Sequence, residues 1–353
     1  MHRRWQLAVL LLGILPNLGH PADKPEPAAT ALGKLARAMQ PGTWAELKTE
    51  GLDASVLKSR PPHAGFDLMG WSDDAFWDSA RGQFYFMGLR KTRHLMIYRA
   101  ADNRWRTLTL PEDHVAAQSP PRESQFGHNY SRSAFDPERG HFYQVDHNDN
   151  GGGVHRLDLA SEQWKKLPKN CVYSLTGVLE YFSAREWLLY IGDSTAGKHN
   201  QLQVYDTKTN EWSILGPTAV HGYHSLARHN PFRQEVLLAG GSNSPLALAR
   251  VTKAGKLEAL PDFPAKEERL SVSKDKLTVD PVSGKYLILV FGAKRFYEYD
   301  SDTGKVRLLD NFTTTPWPFS LYDHPVVAFV PEHGITFWAA NSRVMLYKHA
   351  AAQ

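Results

Sequence analysis

The sequence predicts an all-β fold in which six four-stranded antiparallel sheets form a closed ring. Three observations support this: a tyrosine-to-tryptophan pattern recurs, a tight turn returns about every 50 residues, and the two chain ends carry complementary halves of one repeat. The length of 353 residues would by itself also allow two domains, but a fixed internal period outweighs that expectation.

The tyrosine-to-tryptophan pattern predicts the two outer strands of each sheet. An apolar or aromatic residue is followed by a turn and then by tryptophan and leucine. Complete copies begin at Tyr98, Leu157 and Tyr205, and degenerate copies end at Leu260 and Leu309. We interpret each copy as two antiparallel strands joined by a turn.

The recurring turn predicts a hairpin between the two inner strands of each sheet. Asp, Asn, Pro and Gly, which favour tight turns, precede short aromatic or aliphatic runs. The six turns begin at Asp78, Asp136, Phe182, Asn230, Asp280 and Val330. Four strands per repeat are typical of a propeller blade, and such blades pack in a ring because each has two apolar faces.

The beginning of the chain is expected to complete the last blade. The final copy of the outer pattern starts at Tyr347, but the sequence ends at Gln353, before the tryptophan position. The segment from Trp44 to Leu47 matches the missing half. An amino-terminal strand around Trp44 would therefore close the ring and leave no unpaired edge.

The first 22 residues have the pattern of an export signal. Arg3 and Arg4 precede an apolar run from Leu7 to Leu15 that is too short to span a membrane. We expect residues 1–22 to be a signal peptide and the mature protein to be secreted or periplasmic, with no membrane span.

The mature chain is predicted to consist of a short leader and a single domain. Leu32, Leu35 and Met39 recur at helical spacing, so residues 23–40 are interpreted as a spacer and a short amphipathic helix. Residues 41–353 form the propeller domain in this interpretation, and we expect it to be a monomer.

Composition and charge exclude several classes of function. The hydrophobic fraction of 42% is typical of a soluble globular protein. The net charge of +4 comes from scattered basic residues, so nucleic-acid binding is not expected. Cys171 is the only cysteine, which excludes an intramolecular disulfide and favours a buried structural role.

With these repeats, the chain resembles kelch-type six-bladed β-propellers, and its plan is similar to that of the galactose oxidase central domain. The resemblance rests on the turns before the second strands and on the spacing of seven between Tyr98 and Trp105. The family's glycine pair after the second strand is present as Gly240-Gly241. The resemblance implies a propeller that covers nearly the whole mature chain.

Polar residues near the inner strands predict a site at one mouth of the central channel. Positions six and eight residues before each inner turn are expected on one strand face, and they are rich in His, Tyr and Lys. The candidate catalytic residues are His128, Tyr130 and His224, and the candidate ligand-binding residues are Trp71, Tyr223, Lys274, Tyr322 and His324. The alternative interpretation is a wet channel whose polar walls bind only water.

Carbohydrate recognition is the function that these residue types favour. Trp71 and Tyr130 would stack on sugar rings, and Lys274 would meet a carboxylate. In a lyase reaction, Tyr130 or His128 would remove the proton beside a uronate carboxyl group. This is an analogy with secreted propellers that are polysaccharide lyases, and whether the protein is an enzyme stays open. The alternative function is a non-enzymatic protein-interaction platform.

Two further kinds of chemistry are less well represented. Glycoside hydrolysis needs paired acids, and the few candidates near the inner strands are Asp73, Asp74, Glu180 and Asp323. The resemblance to galactose oxidase would imply a copper site, for which the available side chains are His224, His324, Tyr130 and Cys171. The chain lacks room for the flanking domain that completes that site. No metal-ligand motif of defined spacing occurs, and the cofactor, if there is one, stays unknown.

Overall fold

The computed structural model describes the parts of the chain that form one ring of β-sheets. The described residues are 27–52, 74–88, 94–109, 131–145, 153–168, 177–192, 200–222, 224–265, 268–270, 275–319, 324–340 and 343–349. The predicted signal peptide and Cys171 lie outside them. No helix among the described residues has the length and apolar character required to cross a membrane.

A short helix lies near the amino terminus, within the region predicted for it. The helices are α1, Ala31–Ala38, and two 3₁₀ turns at Pro27–Ala29 and Pro331–His333. Thr30 caps α1, because its hydroxyl oxygen accepts a hydrogen bond from the Gly33 amide at 3.0 Å. Leu32 and Ala36 are buried against the ring.

Six sheets of four antiparallel strands confirm the predicted six-bladed propeller. Strand β1, Thr43–Leu47, belongs to the last blade. Blade 1 contains β2 to β5, which are Phe76–Asp78, Gln83–Met87, His94–Arg99 and Arg104–Thr109. Blade 2 contains β6 to β9, which are Ser133–Asp136, His141–Val145, Val154–Asp158 and Gln163–Lys166. Blade 3 contains β10 to β13, which are Gly177–Phe182, Trp187–Gly192, Gln201–Asp206 and Glu211–Pro217.

The second half of the ring follows the same plan. Blade 4 contains β14 to β17, which are Leu226–Asn230, Glu235–Ala239, Leu248–Val251 and Leu257–Leu260. Blade 5 contains β18 to β21, which are Lys276–Val279, Tyr286–Val290, Arg295–Asp300 and Lys305–Asn311. Blade 6 contains β22 to β24, which are Val326–Val330, Ile335–Ala340 and Arg343–Lys348.

The inner strands of the blades run in the same direction around the channel. A parallel bridge between Ser131 and Val178 joins the inner edges of blades 2 and 3. The segments that precede the inner strands therefore lie at one end of the ring, and the turns that follow those strands lie at the other end. We call this second end the turn mouth.

Strand β1 closes the ring as the sequence predicted. It pairs with β24 in an antiparallel register that places Trp44 opposite Tyr347. The indole of Trp44 lies among aromatic rings of blades 5 and 6, with centroid distances of 4.8 Å to Tyr347 and 5.6 Å to Phe296. The first and last strands of the described chain thus share one sheet and one apolar core.

The apolar cores lie between neighbouring blades. Each of the six buried clusters among the described residues combines side chains from two adjacent sheets. Phe84 of blade 1 and Phe337 of blade 6 pack in this way, with ring centroids 4.5 Å apart. Because both faces of every blade are apolar, each blade depends on its two neighbours.

Strand β1 should contribute measurably to the stability of the folded protein. Substitution of Trp44 by alanine removes its contacts with the aromatic rings of blades 5 and 6, so the free energy of unfolding should fall by about 3 kcal/mol. Chemical denaturation measures this change. The control is Ile214→Ala on the outer strand of blade 3, where the side chain is 60% exposed. Equal stability of the two variants would contradict closure by β1.

Candidate functional site

The central channel contains a cavity of about 440 Å³ that opens at the turn mouth. Among the described residues, inner strands and inner turns from all blades except blade 5 line it. At the mouth the walls come from the turns, through Ser79, Pro137, Pro231 and Pro331. A concave, mostly apolar site with a few polar groups is the usual form of a small-molecule site.

Four aromatic side chains form the walls of the cavity: Phe76, Trp77, Phe135 and Phe329. Phe76 and Phe135 come from neighbouring blades, and their ring centroids are 6.2 Å apart. Trp77 is fixed in place because its indole nitrogen donates a hydrogen bond to Glu332 Oε1 at 2.7 Å. The cavity therefore presents flat apolar surfaces of defined orientation.

Arg228 lies at the inner end of the cavity and crosses the channel. It extends from β14 in blade 4, and only 4% of it is exposed. Its Nε donates to the carbonyl oxygen of Leu277 in blade 5 at 3.3 Å, and its Nη1 donates to that of Ala75 in blade 1 at 3.3 Å. Blades 1 and 4 are on opposite sides of the ring, so this side chain spans the channel.

Two carboxylates accompany the Arg228 guanidinium. Asp74 Oδ1 of blade 1 lies 3.7 Å from Nη2, and Glu180 Oε2 of blade 3 lies 3.9 Å from Nη1. The guanidinium carbon also lies 5.3 Å from the centroid of the Phe76 ring, within range of a cation–π interaction. The charge of Arg228 is thus compensated inside the ring.

Glu180 combines deep burial with a position on the cavity wall. Burial raises the pKa of its carboxyl group to about 7, and the opposing attraction of Arg228 and hydrogen bonds from the Tyr181 and His229 backbone amides are smaller effects. A carboxyl group with such a pKa can both donate and accept a proton near neutral pH. Perturbed carboxyl groups in clefts are typical of functional sites.

His229 also lines the cavity but is neutral near pH 7. Burial, and to a smaller extent the nearby charge of Arg228, lower its pKa to about 4. Its Nε2 lies 3.4 Å from Ser183 Oγ in blade 3, and its ring packs edge-on against Phe182. The imidazole contributes a hydrogen-bonding group and no positive charge.

The turn mouth carries exposed apolar side chains next to the cavity. Phe232 is 47% exposed and Val282 is 68% exposed, on the turns of blades 4 and 5. Asn230 shapes the blade 4 turn, because its side-chain oxygen accepts a hydrogen bond from the Phe232 amide at 3.1 Å. Phe232 packs over Gly284, whose φ of +68° and close neighbour both favour glycine. Val282 packs over Gly334 of blade 6 in a similar way.

Two of the predicted site residues, His224 and His324, lie within the described residues. They precede the inner strands of blades 4 and 6 rather than lying within them. His224 has a φ of +60°, so the alternation of strand side chains does not extend to it. Both lie at the end of the ring opposite the turn mouth. Outside the described residues lie His128, Tyr130, Trp71, Tyr223, Lys274 and Tyr322.

The structure describes two of the four acidic residues that the sequence offered as candidates for glycoside hydrolysis. The structure brings Asp74 and Glu180 to the same guanidinium, whereas Asp73 and Asp323 lie outside the described residues. Sequence reasoning missed Arg228 itself. A charged residue inside the otherwise apolar start of β14 is the signal that would have identified it. In the described part of the chain, no group of three or more His, Cys, Asp or Glu side chains is placed to hold a metal ion.

Comparisons with known proteins support the fold and leave the activity open. No protein-family model matches the chain, and no curated protein matches it. Its structure is similar to that of a structural genomics protein of unknown function from Bacteroides thetaiotaomicron, with a TM-score of 0.55 and 12% sequence identity. The match covers 86% of this chain and 75% of the other. At this identity the likeness shows the fold alone.

The raised pKa of Glu180 makes stability depend on pH. The folded state holds this proton up to about pH 7, whereas the ordinary value is 4.5, so stability is lost as the pH rises through this window. Relative to Glu180→Gln, the wild-type protein should lose roughly 3 kcal/mol between pH 4 and pH 8. Denaturation of both proteins across this range measures the difference. Parallel stability curves would show that the carboxyl group titrates normally.

Proposed function

We propose that the protein is an exported kelch-like propeller that binds a small carbohydrate in the central cavity. The observation that carries this proposal is the combination of aromatic walls with a buried carboxyl group and guanidinium at the inner end. A sugar ring has an apolar face of C–H groups that packs on aromatic rings, and hydroxyl groups that bond with charged side chains.

Export and family membership are supported by the sequence. The basic and apolar segments within residues 1–22 are typical of a signal peptide. The spacing between Tyr98 and Trp105 and the repeated inner turns are similar to those of kelch propellers. We propose a secreted or periplasmic location on this basis. Lyase chemistry at His128, Tyr130 and His224 is a separate proposal that residue type and repeat position support, because His224 precedes its inner strand and lies at the end of the ring opposite the mouth of this cavity.

Calorimetric titration of the purified mature chain with monosaccharides and disaccharides tests the proposal. Phe135→Ala removes an aromatic wall and Glu180→Gln removes the carboxyl group. Each variant should therefore bind any sugar that the wild-type protein binds about tenfold more weakly, equivalent to 1.4 kcal/mol. The control, Ile214→Ala, should bind with unchanged affinity, and circular dichroism verifies that each variant is folded. A panel without any binding sugar, or unchanged affinity in both cavity variants, would refute a carbohydrate site here.

The exposed apolar turns favour a protein-interaction platform as a second candidate function. Phe232 and Val282 lie on consecutive turns at the same mouth, and exposed apolar groups that cluster commonly mark interaction surfaces. Propellers offer such a rigid platform because the blades hold the turns in fixed positions.

Substitution at the mouth separates this second function from carbohydrate binding. The double variant Phe232→Ser/Val282→Ser should abolish capture of a specific partner from the native host, because it removes the exposed apolar contact area. The matched control is Ile214→Ser/Leu308→Ser, which alters two exposed apolar side chains on outer strands. Quantitative affinity capture measures both. Equal capture by the two double variants would exclude the turn mouth as the interaction surface.

A further inference from the structure

We propose that the cavity selects a sugar that carries a free ammonium group over neutral and acidic sugars. This inference rests on the proposed carbohydrate function and specifies the ligand. It follows from three features of the described residues: an excess of carboxylates over cations, the aromatic walls, and the way in which neighbouring basic side chains are neutralised.

The carboxylates at the cavity outnumber the cations. Arg228, Glu180 and Glu138 line the cavity, and Asp74 lies on the other side of the guanidinium. Among the described residues that line the cavity, Arg228 is the one Lys or Arg side chain, and Asp74 and two backbone carbonyl oxygens are its partners. When ionised, Asp74, Glu180 and Glu138 together carry three negative charges against the one positive charge of Arg228. A ligand with a carboxylate would be repelled, and one with an ammonium group would be attracted.

Basic side chains on the surrounding turns are engaged by carboxylates of their own. Arg81 pairs with Asp78 at 2.8 Å. Arg233 pairs with Asp300 at 2.9 Å. In blade 2, Arg139 is bound by the carboxylates of Asp136 and Glu186. Arg185 in blade 3 differs, because its contact among the described residues is with the Trp187 ring and not with a carboxylate. None of these four guanidinium groups lines the cavity.

His229 faces the cavity from the same strand as Arg228 and does not alter this balance. Its pKa of about 4 keeps the imidazole neutral over the pH range in which Glu180 titrates. The charge inside the cavity therefore depends on Glu180 and on the exposed Glu138 at the mouth.

The aromatic walls favour a cation with an apolar body. Trp77, Phe135 and Phe329 line the same cavity as Glu180, and an ammonium group near a ring face gains a cation–π interaction. Arg228 over Phe76 shows the same interaction inside this cavity, at 5.3 Å. An aminosugar offers both elements, since its ring has an apolar face and its ammonium group can reach the carboxyl group.

The carboxyl group couples binding to pH. An ammonium group next to Glu180 favours the ionised carboxylate, so binding releases a proton from the fraction of molecules that are protonated. A ligand with a permanent positive charge should accordingly bind more tightly at pH 8 than at pH 6. A ligand without charge should show no such gain from this group.

Calorimetry with three matched sugars at pH 7, where about half of the Glu180 carboxyl groups are ionised, tests the selection. D-glucosamine should bind at least about tenfold more tightly than N-acetyl-D-glucosamine, and D-glucuronate should bind most weakly. Glu180→Gln should remove the preference for D-glucosamine, and Glu138→Gln, at an exposed position, should reduce it without affecting folding. The matched control is Glu268→Gln, which alters a buried carboxylate paired with Arg295 in blade 5, outside the cavity, and should keep the preference.

The outcomes separate this inference from the proposed function. Equal affinity for D-glucosamine and N-acetyl-D-glucosamine, or tighter binding of D-glucuronate, overturns the charge selection and leaves carbohydrate binding standing. Binding of tetramethylammonium that strengthens from pH 6 to pH 8, with no binding of any sugar, supports the cation site and overturns the carbohydrate assignment. Absence of binding by all four probes overturns both.

Discussion

The buried guanidinium of Arg228 connects several blades at the centre of the ring. Arg228 contacts backbone carbonyls of blades 1 and 5 and has carboxylates of blades 1 and 3 beside it. A charge this far from water is tolerated because it is paired and hydrogen-bonded, and removal of one partner from such a pair typically costs about 3–5 kcal/mol. The Arg228 guanidinium and its partners therefore both form the inner end of the cavity and connect opposite blades. Substitutions at this place therefore change both the lining of the cavity and the stability of the ring.

The same burial acts in opposite directions on the two titratable groups beside Arg228. It raises the pKa of Glu180 and lowers the pKa of His229, because a low-dielectric site disfavours the charged form of each. The carboxyl group thus titrates near neutral pH while the imidazole stays uncharged. The cavity has one group poised for proton exchange beside a fixed cation, which is an arrangement suited to ligand discrimination by charge.

The fold was more accessible from the sequence than the site was. Trp44 and Tyr347 belong to a local pattern with a fixed period. Because the last copy of the pattern lacks its second half, the sequence predicts that the segment around Trp44 pairs with the strand that contains Tyr347. The cavity instead depends on side chains from several blades, and their distances follow from the diameter of the ring. Arg228 and Glu180 both stand two residues before an inner turn, whereas the predicted His224 stands six before it. The inner strand of blade 4 has only five residues, so that earlier position falls outside it.

The seam between β1 and β24 has a consequence for assembly. These strands come from opposite ends of the described chain, so the earliest strand to be synthesised pairs only after the last one is complete. Contacts of such long sequence separation form slowly. Until they form, the edge of β24 offers unpaired backbone groups to any strand of the same sequence. If two copies met at this stage and exchanged their amino-terminal strands, the seam that completes a single ring would become the interface of a domain-swapped dimer.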